Sequence, residues 1–197
     1  MAHHQMIRTS AGIVFWMCGC LAVLAAPPAN ALFPLEVGSR WTYAAGPYEL
    51  EEEVTQIDVV DGEPCARVET RINGKAVAYE HLAHRADGIY RVTIGGERVV
   101  PPLCFLKFPV KRQTPWQVTS EVGGEQISGQ FTADVTRLKV PAGEYQAVVV
   151  HGTNFQSETG PLEFKYYFAP GIGKVKQVIS ASGKSAELEL KKYQPAP

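Results

Sequence analysis

Cysteine is scarce in this chain: of four residues, Cys18 and Cys20 fall in an N-terminal apolar stretch and only Cys65 and Cys104 lie beyond it. That is too few for a disulfide scaffold and enough for one bridge. An excess of charge of one sign is also missing. Beyond residue 31 there are 18 basic and 20 acidic residues with no block of like charge, which argues against a nucleic-acid partner. No apolar run after residue 31 is long enough for a membrane-spanning helix, so no transmembrane span is expected there. The sequence also lacks a His-Glu-x-x-His pair, a Gly-x-Ser-x-Gly elbow, a phosphate-cradling glycine loop and a local Cys–His frame. No catalytic residues, no metal and no cofactor are therefore expected. An unrecognised hydrolase, with Ser, His and Asp converging only in space, remains open as the third of three alternatives.

What is present begins with an export signal. Met1 to Arg8 carries one basic residue and no acid, Ala11 to Ala26 is apolar, and Pro27-Pro28 leads into Ala29-Asn30-Ala31. A basic start, an apolar run and a small-residue cleavage site in that order read as a secretory signal over residues 1–31, cut after Ala31. A membrane anchor is the alternative, but the apolar run stops short of the roughly 20 residues a span requires. Lipid attachment at Cys20 fits less well, because the apolar run continues past it. The expected product is a periplasmic or extracellular protein with one domain over residues 32–194 and a loose tail at 195–197.

Within that domain, short apolar alternation is broken every 8 to 14 residues by turn residues. Ala66, Val68 and Ile72 oppose Arg67, Glu69 and Arg71; Leu162, Phe164, Tyr166 and Phe168 oppose Glu163 and Lys165; Leu188 and Leu190 oppose Glu187, Glu189 and Lys191. A sheet with one dry and one wet face produces this pattern. Asp61-Gly62, Asn73-Gly74, Asp87-Gly88, Gly95-Gly96, Gly123-Gly124 and Ser182-Gly183 supply the positive φ of tight hairpins. The expectation is an all-β, mostly antiparallel fold of about ten strands. Leu50 to Val59 changes face between Val54 and Ile57, as a bulged strand does, although Leu50, Val54 and Ile57 also fit a helix. Phe131 to Val140 changes face in the same way.

Five stretches in order, Phe33-Pro34-Leu35-Glu36-Val37-Gly38 with Trp41-Thr42-Tyr43, Leu106-Lys107-Phe108-Pro109 with Trp116, Val140-Pro141-Ala142-Gly143-Glu144-Tyr145, and Tyr166 to Val175, resemble a group of exported bacterial proteins of undefined function. That group is similar to the periplasmic lipoprotein-carrier superfamily. The resemblance implies a single strongly curved antiparallel sheet, a half-barrel or open barrel that in the carriers encloses acyl chains. This chain departs from the carriers in having no convincing helix to plug the mouth. On such a half-barrel Trp41, Tyr43, Phe164, Tyr166 and Phe168 would line the concave side and face a hydrophobic or lipidic ligand. Trp41 and Tyr43, two apart on one strand face, are equally read as core, and that reading is preferred for them.

A Cys65–Cys104 disulfide is expected from export and from the place of Cys65 on a polar face beside Arg67 and Glu69. His81 and His84, three apart on a strand, would face opposite sides and could not share a metal; His151 reads as a strand residue satisfied by a neighbour. Between Leu103 and Trp116, Phe105, Leu106, Phe108 and Trp116 alternate with Lys107, Lys111 and Arg112. This stretch reads as core aromatics with solvated cations, or alternatively as a surface for a membrane or an acidic partner. The functional expectation is a non-enzymatic envelope protein that binds a hydrophobic or lipidic ligand. The alternative is a structural or protein-interaction domain of the envelope with a closed core.

Overall fold

The computed structural model describes residues 31–157 and 160–197, so all of the expected secretory signal except its last residue, Ala31, lies outside the described residues. Twelve strands follow one another: β1 (Arg40–Ala45), β2 (Tyr48–Val60), β3 (Glu63–Ile72), β4 (Lys75–Arg85), β5 (Gly88–Ile94), β6 (Glu97–Lys107), β7 (Trp116–Val122), β8 (Glu125–Val140), β9 (Gly143–Ser157), β10 (Gly160–Ala169), β11 (Gly173–Ala181) and β12 (Lys184–Gln194). Each runs antiparallel to the next, and β12 returns to pair with β1, closing a barrel.

This corrects the expected half-barrel of about ten strands. Closure rests on pairs such as Arg40↔Gln194, Trp41↔Tyr193 and Tyr43↔Leu190, about 150 residues apart in sequence and invisible to any local pattern. Strands were undercounted because alternation fails where both faces are covered. On β4, His81, Leu82 and Ala83 are buried in succession, since a small second cluster of Val60, Cys65, Ala83 and Val92 covers the outer wall there.

Five of the six expected hairpin dipeptides have positive φ at both residues, as at Asn73-Gly74 (52° and 74°). Gly88 is the exception and is required for space: a Cβ there would come within 2.5 Å of the Leu106 carbonyl oxygen. β2 is the bulged strand, its register slipping between Val54↔Val68 and Gln56↔Arg67, so the helix alternative is set aside. The change of face along β8 also occurs, by a different device. β7 pairs with β8 only as far as Phe131, and β10 with β9 only from Val148 onward, so the rest of β8 and β9 forms a free two-stranded ribbon. That ribbon folds across one end of the barrel, where Val140 and Ala147 are buried and the Ala142 amide donates to the Leu190 carbonyl at 2.8 Å.

The same end receives the N-terminal segment. Leu32 and Phe33 are buried, and the Phe33 ring packs on Trp41 and Phe168 at 5.4 Å each. At the other end the β1–β2, β3–β4, β5–β6, β7–β8 and β11–β12 hairpins surround the mouth.

The cysteines are both free, which corrects the expected disulfide. Cys65 is on β3 and Cys104 on β6, with β4 and β5 between them. Three ladder spacings amount to about 14 Å, twice the reach of a disulfide at about 7 Å between α-carbons. The polar face around Cys65 is locally apolar: Cys65 is buried, and the guanidinium of Arg85, bonded to both oxygens of Glu63 at 2.8 and 2.6 Å, lies over the neighbouring Tyr90 ring. Burial raises both thiol pKa values. The chain beginning at Leu32 should therefore give two thiol equivalents in denaturant without reductant, and Cys65 should label slowly in the native state. A count of zero would restore the bridge.

Candidate functional site

The inward residues of β10 form the spine of the interior. Phe168, Tyr166 and Phe164 follow one another at 6.3 and 6.2 Å, and the last two rings are parallel to within 6°. Phe33 extends this column into the capped end, while Phe155 meets Phe164 edge-on at 5.1 Å toward the mouth and Phe131 continues it at 5.1 Å. Two glycines make room for these rings. A Cβ at Gly129 would lie 2.5 Å from Phe155, and one at Gly152 would lie 2.5 Å from Phe131.

All five residues expected to line a ligand face inward, in two different settings. Trp41, Tyr43, Tyr166 and Phe168 are at most 4% exposed. Trp41 and Tyr43 use their polar atoms to close the barrel: the indole N–H donates to the Ile172 carbonyl at 2.6 Å and the phenol to the Lys174 carbonyl at 2.9 Å. Phe164 alone is partly buried, and with Ile127, Phe155 and Leu162 it walls a recess of about 450 Å³ rimmed by Glu125, Gln126 and Gln156. That is within the usual range of small-ligand sites, roughly 300–1,000 Å³. Sequence reading placed Leu162 on the apolar face of its strand but not at a ligand, and it did not single out Ile127 or Phe155, because the recess exists only where β8, β9 and β10 are brought side by side.

Two ion pairs lie inside the wall and were also missed. Lys174 donates to Glu52 at 2.7 Å and to Gln177 at 2.9 Å, with both charged side chains under 10% exposed. Arg91 meets Glu80 at 2.5 Å and stands 5.0 Å from the centre of the Phe105 ring. A signal for Glu52 was available: it shares parity with Leu50 and Val54 on β2, and so must face inward with them. Burial, followed by the charge and hydrogen bond of Glu52, holds the Tyr43 phenol well above its ordinary pKa.

The histidines take separate places. His81 has Thr93 Oγ1 2.8 Å from Nδ1 and Asp58 Oδ2 2.9 Å from Nε2, His84 packs edge-on against Phe108, and His151 lies 3.6 Å from Glu163. Among the described residues no three His, Cys, Asp or Glu side chains are grouped to hold a metal.

On the outer wall the loop between β6 and β7 is pinned to the ribbon, beside a polar groove of about 350 Å³ that includes His151, Lys165 and Tyr167. Asp134 accepts from Arg112 Nε at 2.6 Å, from Gln113 Nε2 at 3.1 Å and from the Val135 amide at 2.7 Å. The Val135 amide first, then Arg112 and Gln113, hold its carboxyl down at about 2. An aspartate depressed below its ordinary value of roughly 3.9 stabilises the fold at neutral pH and loses that contribution as pH falls from about 4 through about 2. Protection of the amides around residues 111–114, taken relative to their intrinsic exchange rates at each pH, should fall over that window, and Asp134→Asn should remove that fall. Protection factors that are flat with pH in the unaltered protein would show that the loop is held by something else.

No family model matches the chain, and no curated protein matches it in sequence. Two solved structures are similar to it in fold. A candidate lipoprotein from Parabacteroides distasonis superposes with a TM-score of 0.44 at 9% identity, over 83% of this chain and 98% of that one. A candidate exported protein with a YmcC-like fold from Bacteroides fragilis gives 0.48 at 14% identity, over 83% and 99%. Likenesses this distant do not bear on function.

Proposed function

We propose that this is a non-catalytic, exported binding barrel of the cell envelope that takes a hydrophobic or lipidic ligand at its mouth. The observation that carries the reading is the recess of about 450 Å³ walled by Ile127, Phe155, Leu162 and Phe164. Its four main walls are apolar, and removing an apolar ligand from water there gains about 25 cal/mol per Å². Export is supported by the signal pattern ending at Ala31, and the lipoprotein-carrier resemblance of the motifs agrees with it. The wall supports a water-exposed protein rather than a spanning barrel, because it carries charge outward. Arg40–Glu53, Arg71–Glu69 and Lys176–Glu189 belt the outside, where a membrane barrel would present an apolar band.

A fluorescent fatty-acid titration tests this. The unaltered protein should bind saturably, and Phe164→Asp, at a partly exposed position, should weaken binding at least tenfold while circular dichroism stays native. Tyr166→Asp should instead unfold the domain, because Tyr166 is 4% exposed. Absence of saturable binding across a lipid panel would favour a second reading, an envelope interaction domain. That second reading is supported by the filled interior around Trp41, Tyr43 and Phe168.

A further inference from the structure

The barrel wall has one weak seam. β6 and β7 are paired only at Val99↔Val122 and Val100↔Glu121, next to the mouth. Beyond that point Pro101 and Pro102 offer no amide hydrogens, and the two strands diverge. Side chains span the gap in place of a ladder: Ser120 Oγ donates to the Pro101 carbonyl at 2.8 Å, and Trp116 Nε1 donates to the Cys104 carbonyl at 2.9 Å. The divergence leaves a recess of about 260 Å³ between Pro102, Leu103, Val118 and Trp116. A second recess of about 160 Å³ adjoins it, walled by Phe108, Pro115 and Trp116 with Lys107, Lys111 and Thr114. The two meet at Lys107 and Trp116.

Two ammonium groups beside this surface are uncommitted. Arg112 is committed to Asp134, whereas Lys107 and Lys111, both exposed, have no carboxylate within ion-pair distance among the described residues. The loop that carries Lys111 is already fixed, since the Gln113 amide donates to the Ala133 carbonyl at 2.7 Å. The rim is therefore preformed, and ordering it on binding costs little.

We propose that this seam is a docking surface for an acidic, extended peptide segment of a protein partner. An apolar side chain of the segment enters the recess between Pro102 and Trp116. Carboxylates on either side of it meet Lys107 and Lys111. Charge complementarity selects an acidic segment, and the divided, side-chain-sized recesses favour a peptide over one long chain. The surface is separate from the recess at the mouth and stands whether or not that recess takes a ligand.

The test uses the exported chain and a synthetic acetylated heptapeptide of alternating glutamate and valine. After residue 31 the tryptophans are Trp41, with no exposed surface, and Trp116, so emission changes report the seam. The acidic peptide should shift Trp116 emission saturably, and raising salt from 50 to about 500 mM should weaken it severalfold as charges are screened. Lys107→Glu combined with Lys111→Glu should weaken it at least tenfold while fatty-acid binding at the mouth is unchanged. Both positions are exposed, so this variant should keep a native circular-dichroism spectrum. A lysine–valine peptide should not bind, and Trp116→Phe should abolish the optical signal. The proposal is overturned if the acidic peptide gives no saturable shift, or if the charge-reversed variant binds it equally well. A response to phosphatidylglycerol vesicles without one to the peptide would also overturn it, and would mark a membrane-facing surface instead.

Discussion

Replacing Trp41 by alanine is expected to destabilise the barrel by about 3–5 kcal/mol through the cavity alone. The indole has no exposed surface, packs on Phe33 at 5.4 Å and stacks on Tyr193 at 5.5 Å across the closing β1–β12 pair. Its N–H also satisfies the Ile172 carbonyl, and leaving that acceptor buried without a donor adds roughly 1–3 kcal/mol. Domain stabilities are about 5–15 kcal/mol, so Trp41→Ala should be close to unfolded at physiological temperature. Trp41→Phe retains most of the apolar contact and should lose about half as much. Urea denaturation followed by circular dichroism separates the three proteins. A loss below about 1 kcal/mol for alanine would mean that the capped end repacks freely and that Trp41 does not hold it closed.

The second large effect concerns the interior ion pair. Glu52 on β2 and Lys174 on β11 meet across the closure, with β1 and β12 between their strands. Lys174→Met leaves the Glu52 carboxylate buried and unpaired, and breaking a buried pair from one side costs about 3–5 kcal/mol. Among the described residues one oxygen of Glu52 has no hydrogen-bond partner even with Lys174 in place, which leaves the Tyr43 phenol, already perturbed by Glu52, to meet the charge. The double variant Lys174→Met/Glu52→Leu should regain most of the loss, because two desolvation penalties disappear together with the attraction. The measurement is a double-mutant cycle in urea. Equal losses in the single and double variants would show that Lys174 acts through packing on the Tyr43 ring, 5.5 Å away, and not through its charge.

Gly129 and Gly152 show how the recess depends on contacts between strands. Each looks like an ordinary weak point in a strand, yet each faces an aromatic ring from a neighbouring strand that a Cβ would displace. Phe155 and Phe164 reach the mouth through the space so made, and Tyr166 and Phe168, on the same face of the same strand, are sealed below them. Alternation alone gave these β10 aromatics the same inward direction; it carried no information on depth along the barrel axis.

Local chemistry in the chain was sufficient for the antiparallel all-β character, most hairpin positions, the bulge in β2 and the inward face of β10. These follow from period-two burial and from backbone preferences of Gly, Asn and Asp, which act within a few residues. Closure of the sheet, the free thiols, the Glu52–Lys174 and Glu80–Arg91 pairs, the mouth recess and the β6–β7 seam were decided only in three dimensions. Each depends on which strands become neighbours and in what register, and register couples residues as distant as Arg40 and Gln194. A one-residue change of register would turn every side chain of a strand to the other face, so these features belong to the pairing of the whole sheet and not to any segment of it.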